Sequence, residues 1–89
     1  MLSVSRDTID RLEGPGRITL YNREVEVLLL VSKGMSNGQV ASHLGISEVT
    51  VKRYLINIYA KLGVSSRANA IKKGFTSGLI TVRDLSESD

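Results

Sequence analysis

The chain carries a spacing of small and apolar residues that constrains how two of its segments can pack. Ala41 is followed four residues later by Gly45 and ten residues later by Val51. A small residue lets a neighbouring helix cross closely, and glycine tolerates the positive φ angle of a tight turn. The spacing predicts two helices that meet at a steep angle across a turn of about three residues, Gly45-Ile46-Ser47. It is typical of a helix-turn-helix, although tight αα-corners in unrelated proteins share it.

Apolar residues at helical spacing predict a first helix over residues 22–33, with Glu24 on the same side as its inward apolar residues. The second helix is expected to start at Ser36, because Ser36 and Gln39 have the form of a capping box. It is expected to end at Gly45, where the turn begins.

A third helix is predicted over residues 47–62, with Ser47 as its N-cap. Its apolar residues are spaced four, three and four, which gives one continuous core stripe: Val51, Leu55, Ile58 and Leu62. A fourth helix is predicted from residue 65 or 66 to about 77. We therefore expect an all-α, four-helix bundle-like domain that contains a helix-turn-helix.

The chain is long enough for one domain, at 89 residues. Gly14-Pro15-Gly16 interrupts any helix near the start, so we interpret residues 1–17 as a flexible N-terminal extension, either an arm or a linker. The domain itself is assigned to residues 18–82, and residues 83–89 form an acidic, frayed tail. Three apolar residues after the fourth helix are expected to fold back onto the core: Leu79, Ile80 and Val82.

The basic residues are concentrated in the middle of the chain. Seven basic residues and one acidic residue lie between residues 33 and 73, whereas the two flanks together hold five basic and eight acidic residues. A basic centre between acidic ends fits a polyanionic partner. Charge alone is equally consistent with a solvated basic surface.

The sequence offers little for catalysis or metal binding. His43 is the only histidine and cysteine is absent, so neither a set of converging metal ligands nor a nucleophile with an adjacent base is visible. We therefore expect no enzyme activity, no metal and no cofactor. The chain also lacks an apolar run of about 18 residues, so no membrane span is expected.

Every predicted helix contains short motifs that can be compared with those of known families. In chain order they are Leu20-Tyr21-Asn22-Arg23-Glu24, Gly34-Met35-Ser36-Asn37, Val40-Ala41, Leu44-Gly45-Ile46-Ser47, Thr50-Val51-Lys52, Asn57-Ile58, Lys61-Leu62-Gly63-Val64, Arg67, Ala70 and Gly78-Leu79-Ile80. They cover about two-thirds of the chain and resemble the LuxR/FixJ/NarL (GerE-like) family of bacterial transcription regulators. The resemblance implies a four-helix module whose third helix enters the major groove of DNA.

The resemblance also implies which residues contact DNA. Lys52 and Arg53 match the base-reading positions of the recognition helix, and both cations can reach guanine acceptors or phosphates. Thr50 matches a position that holds the DNA backbone, and Lys61, further along the helix, is expected to meet phosphate. The other expected DNA contacts are Val49, Tyr54, Ile56, Asn57 and, at the amino end of the second helix, Asn37 and Gly38.

The chain departs from the family pattern at several of these positions. Tyr21 stands where threonine normally caps the first helix, so we expect Asn22 to cap it and to shift its start by one residue. Gly38 replaces a usual lysine or arginine, and Tyr54 replaces a common histidine. Ile56 stands where some members carry a polar or basic base-reading residue, and it is expected either to touch a thymine methyl or to lie near the backbone.

The resemblance further implies a homodimer whose two subunits contact each other through the fourth helix. The dimer is expected to bind an inverted repeat in double-stranded DNA. The residues expected at the dimer contact are Arg67, Ala70, Ile71, Lys73, Gly74 and Ser77. RNA polymerase is a further candidate partner, and the expected location is the cytoplasm of a bacterium, at the nucleoid.

These observations predict a sequence-specific DNA-binding transcriptional regulator, or the C-terminal effector domain of one. Two alternatives remain open. The first is a helix-turn-helix module that recognises promoters only together with RNA polymerase, as the last region of a sigma factor does. The second is a protein-interaction domain that has kept the fold and lost DNA binding.

Overall fold

The computed structural model describes residues 18–86, and within this range the chain is all-helical with no strand. Its five helices are α1 (Asn22–Ser32), α2 (Asn37–Leu44), α3 (Glu48–Leu62), α4 (Arg67–Thr76) and α5 (Val82–Ser86). The expected N-terminal arm, residues 1–17, and the last three residues of the acidic tail lie outside the described range.

Side-chain caps begin α2 and α3 where the sequence predicts them. The Gln39 amide donates to Ser36 Oγ at 3.2 Å, and the Ser36 amide donates to Gln39 Oε1 at 2.8 Å. At the start of α3, the Thr50 amide donates to Ser47 Oγ at 3.1 Å. These bonds satisfy amides that have no partner inside their own helix, so both predicted starts are confirmed.

The start of α1 differs from the prediction that Asn22 caps it. Tyr21 is the N-cap residue, with an extended backbone (φ −73°, ψ 158°). Its amide donates to Glu24 Oε1 at 2.9 Å. Because this contact uses the carboxylate of Glu24 and the backbone of the cap residue, it does not require threonine at the cap, and the helix start is not shifted.

The tight turn between α2 and α3 has the predicted glycine geometry. Gly45 adopts a left-handed conformation (φ 69°, ψ 35°). The Ile46 amide donates to the Ala41 carbonyl at 3.0 Å, which closes the end of α2. Ala41 is 6% exposed, as expected for a small residue that the neighbouring helix crosses closely. The turn therefore fixes how α3 leaves α2.

One side of α3 is buried in the core of the domain. The predicted stripe is confirmed, because Val51, Leu55, Ile58 and Leu62 are each at most 6% exposed. Helix α3 packs against α1, α2 and α4. Burial of an aliphatic side chain of this size contributes about 1.5–3 kcal/mol, so the stripe determines how α3 is rotated about its own axis.

The C-terminal segment corrects two expectations. Ile80 is 1% exposed and returns to the core as predicted, but Val82 is 73% exposed, so the prediction that it folds back is wrong. Helix α5, which the sequence analysis assigned to a frayed tail, begins with reciprocal bonds between Thr81 and Asp84. The Thr81 amide donates to Asp84 Oδ2 at 2.9 Å, and the Asp84 amide donates to Thr81 Oγ1 at 3.2 Å.

Ile80→Ala is expected to lower the free energy of unfolding by about 2–5 kcal/mol, because it removes a buried aliphatic side chain and leaves a cavity. Val82→Ala, two residues away, is expected to change it by less than about 0.5 kcal/mol. Urea unfolding, followed by circular dichroism, measures both free energies of unfolding. The comparison holds when the variants have the same m-value as the wild type. Equal destabilisation by the two substitutions would contradict the packing described for this segment.

Candidate nucleic-acid interface

The outer face of α3 lies opposite the buried stripe and carries two cations between two apolar side chains. Val49, Lys52, Arg53 and Ile56 share this face, because their spacing of three, one and three follows the helical repeat. All four residues are exposed, Val49 by 65% and Ile56 by 66%. Within the described part of the chain neither cation takes part in an ion pair. Both are therefore available to a partner.

The other predicted residues of α3 differ in how accessible they are. Asn57 is exposed and directly follows Ile56, the last residue of the outer face, in the sequence. Thr50 is half-buried, and its hydroxyl lies 2.9 Å from Ser47 Oγ in the helix cap. Tyr54 is half-buried and packs against the core. DNA contact by these three residues stays a prediction.

Lys61, at the carboxyl end of α3, is held by the first turn of α1. Its Nζ lies 2.8 Å from Glu24 Oε1 and 4.0 Å from the centroid of the Tyr21 ring. The Glu24 side chain is only 3% exposed, so its charge requires a nearby cation. The pair ties the carboxyl end of α3 to the amino end of α1. Phosphate contact by Lys61 stays a prediction, and its ammonium group already has a partner in the protein.

This ion pair was not predicted from the sequence. Glu24 was expected on the inward face of α1, without a partner. A carboxylate on a core-facing position is itself a signal, because a buried charge is retained only when paired and hydrogen-bonded. Its partner, Lys61, lies 37 residues away, which no local pattern reports.

The amino end of α2 already has a charged side chain beside it. A Cβ added at Gly38 would lie 3.5 Å from Glu48 Oε2, so a carboxylate stands next to the first turn. Asn37 Oδ1 accepts a hydrogen bond from Arg67 Nη1 at 2.9 Å, and the other terminal nitrogen of Arg67 donates to the Met35 carbonyl. Phosphate contact by Asn37 and Gly38 stays a prediction that must accommodate the neighbouring carboxylate.

The structure corrects the residue set expected at the dimer contact of α4. Ala70 is 1% exposed and Gly74 is buried, and a Cβ at Gly74 would lie 3.0 Å from Leu28 Cδ2. These small residues allow α4 to pack closely on α1, so they cannot form an outer surface. The guanidinium of Arg67 is bonded to Met35 and Asn37, as described above. The remaining expected residues are the half-buried Ile71 and the exposed Lys73 and Ser77.

Neither a metal-binding cluster nor a membrane-spanning helix is present among the described residues. No group of three or more histidine, cysteine, aspartate or glutamate side chains is placed to hold a metal ion. None of the described helices is both long and apolar enough to cross a membrane.

Comparison with known proteins identifies the family. The profile of the family described as bacterial regulatory proteins, luxR family, matches residues 19–73. This range contains α1, the α2–α3 turn and all of α3. The chain belongs to the luxR family. It therefore carries the DNA-binding helix-turn-helix domain of a transcription regulator, as the sequence resemblance implies.

Individual luxR-family proteins resemble the chain over most of its length. Transcriptional regulatory protein YdfI of Bacillus subtilis strain 168 is 41% identical over 63 residues, which is 71% of this chain and 30% of that protein. Response regulator protein VraR of Staphylococcus aureus strain Mu3 is 44% identical over 61 residues, which is 68% of this chain and 29% of that protein.

A solved structure shows the same architecture. The crystal structure of response regulator ChrA, from a heme-sensing two-component system, matches with a TM-score of 0.70 at 40% identity. The match covers 83% of this chain and 37% of the ChrA chain. The luxR-family chain described here thus spans about a third of the length of the relatives it matches.

Lys61→Met is expected to lower the free energy of unfolding by about 1–3 kcal/mol, because it leaves the buried Glu24 carboxylate without its cation. Lys52→Met removes the same charge from the exposed outer face and is expected to change stability by less than about 0.5 kcal/mol. Urea unfolding of the two variants side by side measures the difference. Equal stability would show that the Glu24 pair contributes nothing to the fold.

Proposed function

We propose that α3 of this luxR-family domain enters the major groove of double-stranded DNA, where Lys52 and Arg53 contact base edges. The observation that carries the proposal is the exposure of both cations on the outer face of a helix whose inner face is locked in the core. An α-helix fits the width of the major groove. Arginine and lysine are the side chains best suited to the O6 and N7 acceptors of guanine.

The α2–α3 turn supports this arrangement. In a helix-turn-helix the second helix lies in the groove while the first crosses the DNA backbone. Here the left-handed Gly45 and the close contact at Ala41 hold the two helices in one relative orientation. Little rearrangement is then needed when the outer face of α3 meets base pairs, which limits the entropic cost of binding.

Affinity in this proposal is largely electrostatic. Each cation that neutralises a phosphate releases condensed counterions, so binding weakens as salt concentration rises. Lys52 and Arg53 form no ion pair within the described part of the chain, whereas Lys61 is paired with Glu24. The two outer cations are therefore expected to account for more of the salt dependence than Lys61 does. We propose that the domain acts at the nucleoid, in the cytoplasm of a bacterium, because that is where a bacterial regulator meets double-stranded DNA.

We also propose that two copies bind an inverted repeat through α4. A single domain neutralises few phosphates, and pairing doubles both the charge and the length of DNA that is read. The accessible residues at the carboxyl end of α4 include Lys73 and the C-cap residue Ser77, since Ala70 and Gly74 are buried. Lys73 and Ser77 form the proposed contact, whereas the half-buried Ile71 lies about 160° from Lys73 around the helix and packs against the core.

Substituting Lys52 and Arg53 tests whether α3 is the reading helix, that is, the helix that contacts base pairs. Lys52→Gln and Arg53→Gln are each expected to weaken binding to a duplex selected from a random library by about 5- to 100-fold, as for loss of a contact to one base. Each is also expected to make the dependence of affinity on salt less steep if the side chain contacts phosphate. Fluorescence anisotropy at four or more salt concentrations measures both effects.

The matched control is Lys72→Gln, which removes the same charge from an exposed position on α4. Its effect should be small and uniform across sequences. If all three variants bind alike, α3 is not the reading helix. A folded domain with no salt-dependent DNA affinity would instead favour one of the alternatives, an RNA polymerase-dependent module or a protein-interaction domain.

Ser77→Arg tests the proposed dimer, because a bulky cation at this exposed position blocks the close approach of a second α4. Sedimentation equilibrium on a duplex with two inverted half-sites should show two copies of the wild type and mostly one copy of the variant. Affinity for a single half-site should be unchanged. Two bound copies of the variant would exclude this face of α4 from the contact.

A further inference from the structure

Val49 and Ile56 place two large apolar side chains in water on the outer face of α3. They are 65% and 66% exposed, and only two other large hydrophobic residues in the described part of the chain, Tyr21 and Val82, are comparably exposed. A single exposed apolar side chain is ordinary. Here two of them lie on the same face of one helix, with the cations Lys52 and Arg53 between them. This arrangement indicates a surface suited to a particular partner.

The spacing of these residues defines what they can reach together. Seven residues are almost two full helical turns, so Val49 and Ile56 point the same way and lie about 10.5 Å apart along the helix axis. A surface that meets the floor of the groove through Lys52 and Arg53 therefore brings one apolar side chain to either side of the cation contacts. Both are β-branched, and such side chains hold essentially one χ1 rotamer in a helix, so little rotamer entropy is lost on contact.

The major groove offers one apolar group for such side chains. Base edges there present hydrogen-bond donors and acceptors, and only thymine adds a methyl group at C5. Near the phosphates, by contrast, an apolar side chain gains nothing and displaces hydrating water. An outer face that is cationic at its centre and apolar at both ends is thus complementary to G·C pairs flanked by A·T pairs.

We infer that Val49 and Ile56 are specificity-determining residues that pack against thymine methyl groups on either side of the base pairs contacted by Lys52 and Arg53. This inference rests on the proposed function, since it requires α3 to lie in the major groove. It adds to that function the composition of the half-site, with thymine at two positions that flank a G·C-containing centre.

Replacing thymine by uracil tests the inference, because uracil lacks only the C5-methyl group. Duplexes are first selected from a random library with the wild-type protein, and each thymine of the best duplex is then replaced singly by deoxyuridine. At two positions that flank the G·C-containing centre, the replacement should weaken binding about 3- to 5-fold, the effect of one buried methyl group. Other thymines should tolerate it.

Variants assign each methyl group to its side chain. Ile56→Ala should bind the thymine and uracil duplexes equally at one of the two positions, and Val49→Ala should do so at the other. Val82→Ala truncates an equally exposed apolar residue outside α3 and should keep both sensitivities. Because all three side chains are exposed, circular dichroism should show unchanged folding.

The outcomes separate this inference from the proposed function. If salt-sensitive DNA binding is retained but uracil is tolerated everywhere, the inference is wrong and the reading helix stands. Uracil sensitivity that persists at both flanking positions in Ile56→Ala and in Val49→Ala also overturns it. If no duplex is bound, the proposed function fails and the inference falls with it.

Discussion

Burial of the inner side of α3 is the constraint on which the rest of the domain depends. Val51, Leu55, Ile58 and Leu62 are packed into the core, so α3 cannot rotate without exposing them. A helix turns through about 100° per residue, and fixing one face therefore fixes the opposite one. The core thus determines that Lys52 and Arg53 point outward, so the helix that supplies the core stripe is also the one proposed to contact DNA.

The two ends of α3 are positioned by different kinds of interaction. The amino end is positioned by a local turn, through Gly45 and the cap made by Ser47. The carboxyl end is positioned by an ion pair between residues far apart in sequence, because Lys61 contacts the buried carboxylate of Glu24. Glu24 also accepts the hydrogen bond that starts α1, so one carboxylate begins one helix and ties the end of another. Because Glu24 bonds to the backbone of residue 21, the start of α1 does not depend on a capping side chain at Tyr21.

Local signals in the sequence predicted most of the fold and the outer face of α3, since helix caps and apolar periodicity involve residues within a few positions of one another. Contacts between distant segments were not predictable in this way. The Lys61–Glu24 pair spans 37 residues. Ala70 and Gly74 were assigned to a dimer surface because the family resemblance implied a contact through the fourth helix, although in the fold they line the close approach of α4 to α1. Helix α5 was missed although Thr81 and Asp84 form a recognisable cap.

The outer face of α3 combines cations with apolar side chains. In the proposed complex the cations supply most of the affinity, and the apolar side chains distinguish thymine from uracil. In the proposed complex, contacts from Lys52 and Arg53 to phosphate carry a counterion term, which weakens as salt rises. Contacts from Val49 and Ile56 to methyl groups carry no such term, because they remove apolar surface from water without displacing ions. As salt increases, the proposed complex is therefore expected to lose affinity for all sequences, while the ratio of affinities for thymine and uracil at the flanking positions is expected to stay constant. A recognition helix built only from cations would lack this salt-independent component, since its contacts would depend on charge throughout.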